Sequence, residues 1–253
     1  MNKHVCRSLV LLIALWTAGC ANTPPEAEYA QSTADLPEPV FSAERILPED
    51  YDLAAVYDPW YETNRRIYNF NYQFDKYVFI PVVNTWETVV PGFLRKGIHN
   101  FYRTIGDINT MVNALLQLRP GVFLDATGRV LVNGTLGMVG LFDVATEMGI
   151  PRPEEDFGQT LGRWGVGQGP YVVLPLLGPS NLRDAIGLVP DLVVESVAQQ
   201  PIIAEPARPA STAVEAVDTR ADQPFRYYET GFTFEYRMMR WLYSTKRELD
   251  VLK

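Results

Sequence analysis

"DPWYETNRRIYNFNYQFDKYVFIPV", residues 58–82, is the stretch on which the fold turns. Trp60, Ile67, Phe70, Phe74, Tyr77 and Val78 recur in it at three- and four-residue steps, the spacing that lines side chains along one face of an α-helix. Pro81 predicts where that helix stops. Downstream, Pro91 suits a first helical position, and Phe93, Leu94, Ile98, Phe101, Tyr102 and Ile105 predict a second amphipathic helix. A third is expected over residues 107–118, from Ile108, Met111, Val112, Leu115 and Leu116, ended by Arg119-Pro120-Gly121. A fourth follows from about Val122, through Leu124, Val130 and Leu131, toward Asn133. Few segments alternate with a period of two, so the fold class is mainly α.

In "NGTLGMVGLFDVATEMGI" (133–150), Gly134, Gly137 and Gly140 break up a run of Leu, Met, Val and Phe. Each glycine loosens a helix by about 1 kcal/mol relative to alanine, which fits either a tight helical hairpin or a mobile apolar loop. Farther on, Ser180 is placed to cap a short helix ending before Pro190, with "DLVVESVAQQ" continuing as another. Residues 201–210 read as a loop, and the remainder as two helices, the last rich in Phe, Tyr, Trp and Met.

Upstream of residue 58 the character changes. Lys3 and Arg7 precede an apolar run from Leu9 to Trp16 and then Thr17-Ala18-Gly19-Cys20. That run is far short of the roughly 20 apolar residues needed to span a bilayer, so residues 1–19 read as a signal peptide. A cysteine directly after small residues is where lipoprotein signals are cut and the thiol acylated, which makes Cys20 the expected lipidated first residue. Ala21, in place of an acid, resembles lipoproteins sent on to the outer membrane. Residues 20–57, rich in Pro, Ala and acids, read as a disordered tether reaching on the order of 35 Å. Residues 58–253 form the helical domain.

Removing the signal leaves 20 basic against 30 acidic residues, a formal charge of −10, which excludes a general nucleic-acid binder. Only Cys20 and His99 then remain of their kinds, so a disulfide framework, a Cys/His metal site and a cysteine–histidine pair are excluded. The glycines of "GRWGVGQGPYVVLPLLGPSNLRD" (162–184) lack the order and the lysine of a phosphate loop. Ser180 lacks the second glycine of a nucleophile elbow, and the histidine precedes it. Glu154, Glu155 and Asp156, acids beside prolines, read as solvated loop residues. No catalytic constellation, cofactor or metal is implied. What stands out is a surplus of apolar faces, which either pack on one another or meet lipid.

Three ordered stretches, residues 58–82, "VNGTLGMVGLFDVA" (132–145) and "FGQTLGRWGVGQGPYVVLPLLGPSNLRD" (157–184), resemble the MlaA/VacJ family of outer-membrane lipoproteins. The matching motif residues are Asp58, Pro59, Asn64, Arg65, Asn69, Phe70, Gly169, Pro170, Tyr171, Arg183 and Asp184. One departure falls at Tyr61-Glu62-Thr63, where the family carries a glutamate first and an aromatic third. The resemblance implies a ring-like assembly of amphipathic helices lying in the plane of the outer membrane's inner leaflet, bound to a trimeric porin, with a central channel. It implies a non-enzymatic role: misplaced phospholipids pass from the outer leaflet through the channel to a periplasmic lipid carrier resembling MlaC, which preserves lipid asymmetry. Gly137, Met138, Gly140, Leu141 and Phe142 would form a flexible apolar gate on that path. The alternative is a structural adaptor that grips a porin or another envelope partner without transporting lipid.

Overall fold

The computed structural model describes residues 56–229 and 235–253; the signal peptide, Cys20 and residues 21–55 lie outside them. Helix α1, Tyr61–Phe74, runs through a single π turn, Asp75–Phe79, into α2, Ile80–Val89. Pro81 therefore does not end the first helix. Ile80 N–H reaches back five residues to the Asp75 carbonyl, and this loosened turn admits the proline ring in the first turn of α2.

The second and third predicted helices are one 25-residue helix, α3, Gly92–Leu116. Only Gly106 separates the two apolar patterns, and a single glycine costs too little to stop a helix packed on both sides. α4, Pro120–Thr135, starts on the proline expected only to end the preceding helix, two residues before Val122, and packs along α3. The short α5, Val144–Glu147, and α6, Phe157–Arg163, are capped by Asp143 and Asp156, whose carboxylates accept from Thr146 and Gln159 N–H.

A two-stranded antiparallel hairpin comes next, β1 Tyr171–Leu174 and β2 Gly178–Asn181, with Tyr171 opposite Asn181. The sequence reading missed it, because the strands are only four residues long and the second, Gly-Pro-Ser-Asn, carries no apolar alternation to detect. Ser180 lies in β2 and caps nothing; Asn181 is the cap, its Oδ1 accepting from Asp184 N–H at 2.8 Å. The helix it starts, α7, Leu182–Gln199, runs through Pro190 without ending. Residues 201–210 are only partly loop, since a 3-10 turn at Glu205–Ala207 leads into α8, Arg208–Asp222. Last comes α9, Glu235–Leu252.

The helices bury the wrong side for a protein in water. Among the described residues nine hydrophobic side chains are buried against twenty-seven polar or charged ones, so the interior is chiefly hydrogen-bonded rather than oily. On α1 the buried stripe is Asn64, Tyr68, Asn71 and Asp75, while Trp60, Phe70, Tyr77 and Val78 of the aromatic face point outward. α7 buries Arg183, Asp184 and Asp191 and exposes Ile186, Val189, Leu192, Val193 and Val197. Leaving one such side chain in water forfeits about 1.5–3 kcal/mol of burial. The apolar stripes thus face away from the interior. No described helix is long and apolar enough to cross a membrane.

Candidate functional site

Three helices meet at polar corners. Asn113 of α3 donates to Asp191 of α7 at 3.0 Å. Two turns on, α7 reaches α8 through Gln199, which donates to Glu215 at 3.2 Å. α8 returns to α3 through Tyr102–Ser211 at 2.9 Å and His99–Asp218 at 2.9 Å. At 1.5 Å per residue the α3 side between Tyr102 and Asn113 is about 16 Å long and the α7 side about 12 Å. Asp191, Glu195 and Gln199 recur every four residues along one α7 face, which directs Glu195 toward this frame. Burial, with the charges of Glu215 and Asp191 beside it, pushes the Glu195 carboxyl up to about 7. Near neutral pH the carboxyl is therefore partly protonated.

A second cluster holds the glycine-rich turn. Arg129 is fully buried on α4 and donates to Asp107 at 3.3 Å, Asp143 at 2.7 Å, Thr146 at 3.1 Å and the Ile150 carbonyl at 2.8 Å. Asn133 donates to Asp143 and accepts from Ala145 N–H. Residues 136–142 form a turn laced by Gly140 N–H to Asn133 O at 2.8 Å and Phe142 N–H to Gly137 O at 2.9 Å. Asn100 of α3 donates to Leu141 O. Gly140 has φ +89°, and a side chain there would strike Thr104. The sequence reading left these glycines between a tight hairpin and a mobile loop; Gly137 and Gly140 sit where the backbone and Thr104 approach too closely for a Cβ. Met138 and Val139 also adopt positive φ, 52° and 61°, a strained conformation, above all for a β-branched residue. The side chains of Met138, Val139, Leu141 and Phe142 are all exposed.

Asp143 sets the pH response of this cluster. Burial alone would raise its pKa, but hydrogen bonds from Thr146 and Asn133 and the charge of Arg152 outweigh it and hold the carboxyl at about 2. Its folded pKa lies below the unfolded one, so the contribution is complete above pH ~4 and lost as pH falls through ~2. The expected size is about 2 kcal/mol. Denaturant melts of wild type and Asp143→Asn in detergent should differ by that amount at pH 5 and converge toward pH 2; parallel curves would refute it.

Among the remaining motif residues, Asp58 and Asp184 fasten the last helix. Asp58 accepts from Asn64 at 2.8 Å, Tyr236 at 2.7 Å and Arg240 at 3.2 Å, while Asn64 also donates to Tyr171 O. Asp184 accepts from Arg183, Asn181, Tyr243 and Arg247. Gly169 takes φ +69° and Pro170 O accepts from Leu182 N–H, so both shape the entry to α7. Asn69 accepts from Tyr228, and Arg65 and Phe70 are exposed. At the departing triplet, Tyr61 packs edge-on against Tyr236 at 5.4 Å. The acids at 154–156 are not uniformly solvated: Glu155 is buried with Arg119 and Gln117, Asp156 pairs with Arg247, and only Glu154 faces water. Sequence reasoning missed Arg129, Asp191, Glu195 and Arg247. Arg129 had one signal, a lone cation in the apolar run "RVLVNG".

Residues 56–250 match the family model described as MlaA lipoprotein. An uncharacterized protein of Rickettsia prowazekii is 34% identical over 148 residues, 58% of this chain and 57% of its own length. The intermembrane phospholipid transport system lipoprotein MlaA of Escherichia coli K12 is 40% identical over 141 residues, 53% of this chain and 55% of its own length. The matched stretch thus spans little more than half of these relatives. A solved structure, described as the structural basis for maintenance of bacterial outer membrane lipid asymmetry, superposes with a TM-score of 0.64 at 33% identity. That match covers 77% of this chain and 98% of the other.

Proposed function

The chain belongs to the MlaA lipoprotein family, and on that premise we propose that it removes phospholipids misplaced in the outer leaflet of the outer membrane and passes them toward a periplasmic carrier. Its helices lie within the inner leaflet as a ring, beside a trimeric porin. The frame of α3, α7 and α8 is the channel wall. The turn from Gly137 to Phe142 presents an apolar tip on the lipid path. No covalent bond is made or broken.

The inverted burial carries this reading. A solvent of acyl chains accepts the outward Leu, Val and Phe side chains, while buried Asn, Thr and Asp supply a polar wall. Drawing a lipid's tails into water costs about 0.8 kcal/mol per methylene, so transfer needs a path on which only the headgroup leaves hydrocarbon. Glu195, half-protonated near pH 7, repels a passing phosphodiester less than a fixed carboxylate would.

Photo-reactive residues introduced in living cells test it. Probes at Val189, Leu192 and Val193 are expected to capture phospholipid acyl chains, and a probe at Leu131 lipid or porin. Capture of periplasmic proteins alone would place the helices in water and end the proposal. The anchor is checked separately: mass spectrometry of the processed N-terminus is expected to find acyl groups on Cys20, and an unmodified thiol would remove the lipid anchor.

A further inference from the structure

A cavity of about 390 Å³ opens between α3, residues 152–156 and the last turns of α9. That volume sits at the small end of ligand pockets and holds several waters or one small polar molecule. Its rim carries three exposed cations. Lys246 and Lys253 share a single carboxylate, Asp250, at 3.1 and 2.5 Å, and Arg103 touches Glu154 only loosely at 3.9 Å. Other carboxylates of the lining are already engaged, Asp107 by Arg129 and Arg152, Glu155 by Arg119 and Asp156 by Arg247.

Glu154, 81% exposed, is the acid left for a guest. Beside it Gln159 is buried and its Oε1 accepts no hydrogen bond. Gly106, midway along α3, also lines the cavity, and an added Cβ there would meet nothing within 4 Å. Glycine in a helix interior costs about 1 kcal/mol relative to alanine, and no turn or close contact requires it here. Its effect is to leave the cavity open, one helical turn from Tyr102 of the frame.

We propose that this cavity holds the zwitterionic headgroup of an amine-bearing phospholipid, its phosphate on Arg103 and the Lys246–Lys253 pair, its ammonium on Glu154 and the Gln159 carbonyl. The rim matches such a group charge for charge: ammonium and guanidinium donors meet the phosphate, and carboxylate and amide oxygens meet the amine. The assignment rests on the transport reading and names the lipid class it favours.

The test titrates the full chain, in nonionic detergent, with glycerophosphoethanolamine, glycerophosphoglycerol and inorganic phosphate. Glycerophosphoethanolamine is expected to bind at least fivefold tighter than the other two. Lys246→Glu/Lys253→Glu, both at exposed sites, should weaken it at least tenfold, and Glu154→Gln should erase the preference for the amine. Gly106→Leu should fill the cavity and abolish binding with an unchanged helical spectrum. Equal binding of phosphate and glycerophosphoethanolamine, or indifference to the lysine pair, would overturn the proposal. The transport reading fails on a different result, namely normal lipid asymmetry in cells lacking the protein, and headgroup binding would survive that outcome.

Discussion

Arg129→Met is expected to destabilise the folded chain by about 3–5 kcal/mol, the range for removing one partner of a buried ion pair. Methionine replaces most of the volume, so the loss is electrostatic rather than a cavity. Asp107, buried, and Asp143, half-buried, then remain with less compensation, and the Ile150 carbonyl and Thr146 each lose a donor. Arg152 contacts both carboxylates, at 3.5 and 3.2 Å, and offsets part of the loss. The cluster ties α3, α4, α5 and the loop before α6 together, so the damage should spread beyond α4. Denaturant melts in detergent measure it. Adding Asp143→Asn to Arg129→Met should recover stability, because it removes a stranded charge; an additive double mutant would mean that the two residues do not form a unit.

The helical class was legible because period-three and period-four apolar spacing survives whether a stripe faces a core or a lipid. Direction was not. Trp60, Phe70 and Tyr77 repeat as a core stripe would, and only the polar stripe on the opposite side, Asn64, Asn71 and Asp75, distinguishes an inverted helix. Breakers misled in a similar way. Pro81 and Pro190 read as helix ends, yet a π turn absorbs the first and α7 tolerates the second, since tertiary packing outweighs local propensity. The site was legible only as a set of motif residues. Asp58 and Asp184 stand 126 positions apart, and sequence gives no hint that both hold α9 through Arg240 and Arg247. The frame was likewise hidden, because Asn113, Asp191, Gln199 and Glu215 become neighbours only after α7 and α8 fold back on α3.

Gly137→Ala is expected to abolish lipid asymmetry while leaving most of the fold intact. A Cβ at Gly137 falls on the Phe142 carbonyl oxygen and 2.5 Å from the Asn133 carbonyl oxygen, both backbone atoms that cannot swing aside. Relief requires the turn to open, breaking the Gly140–Asn133 and Phe142–Gly137 hydrogen bonds and tilting Met138, Leu141 and Phe142. Overpacking of this kind costs typically 1–3 kcal/mol, and α4 and α5 remain held by Arg129 and Asn133. In cells, an impermeant amine label should then find outer-leaflet phospholipid at the level of a strain lacking the protein. Val139→Gly offers the opposite perturbation: it relieves the strain of φ 61° and should stabilise the turn by about 1 kcal/mol. If the turn controls passage, the two variants should shift lipid asymmetry by different amounts at similar protein levels. Normal asymmetry with Gly137→Ala, in a chain that still binds the envelope, would instead remove the turn from the lipid path and support the structural-adaptor reading.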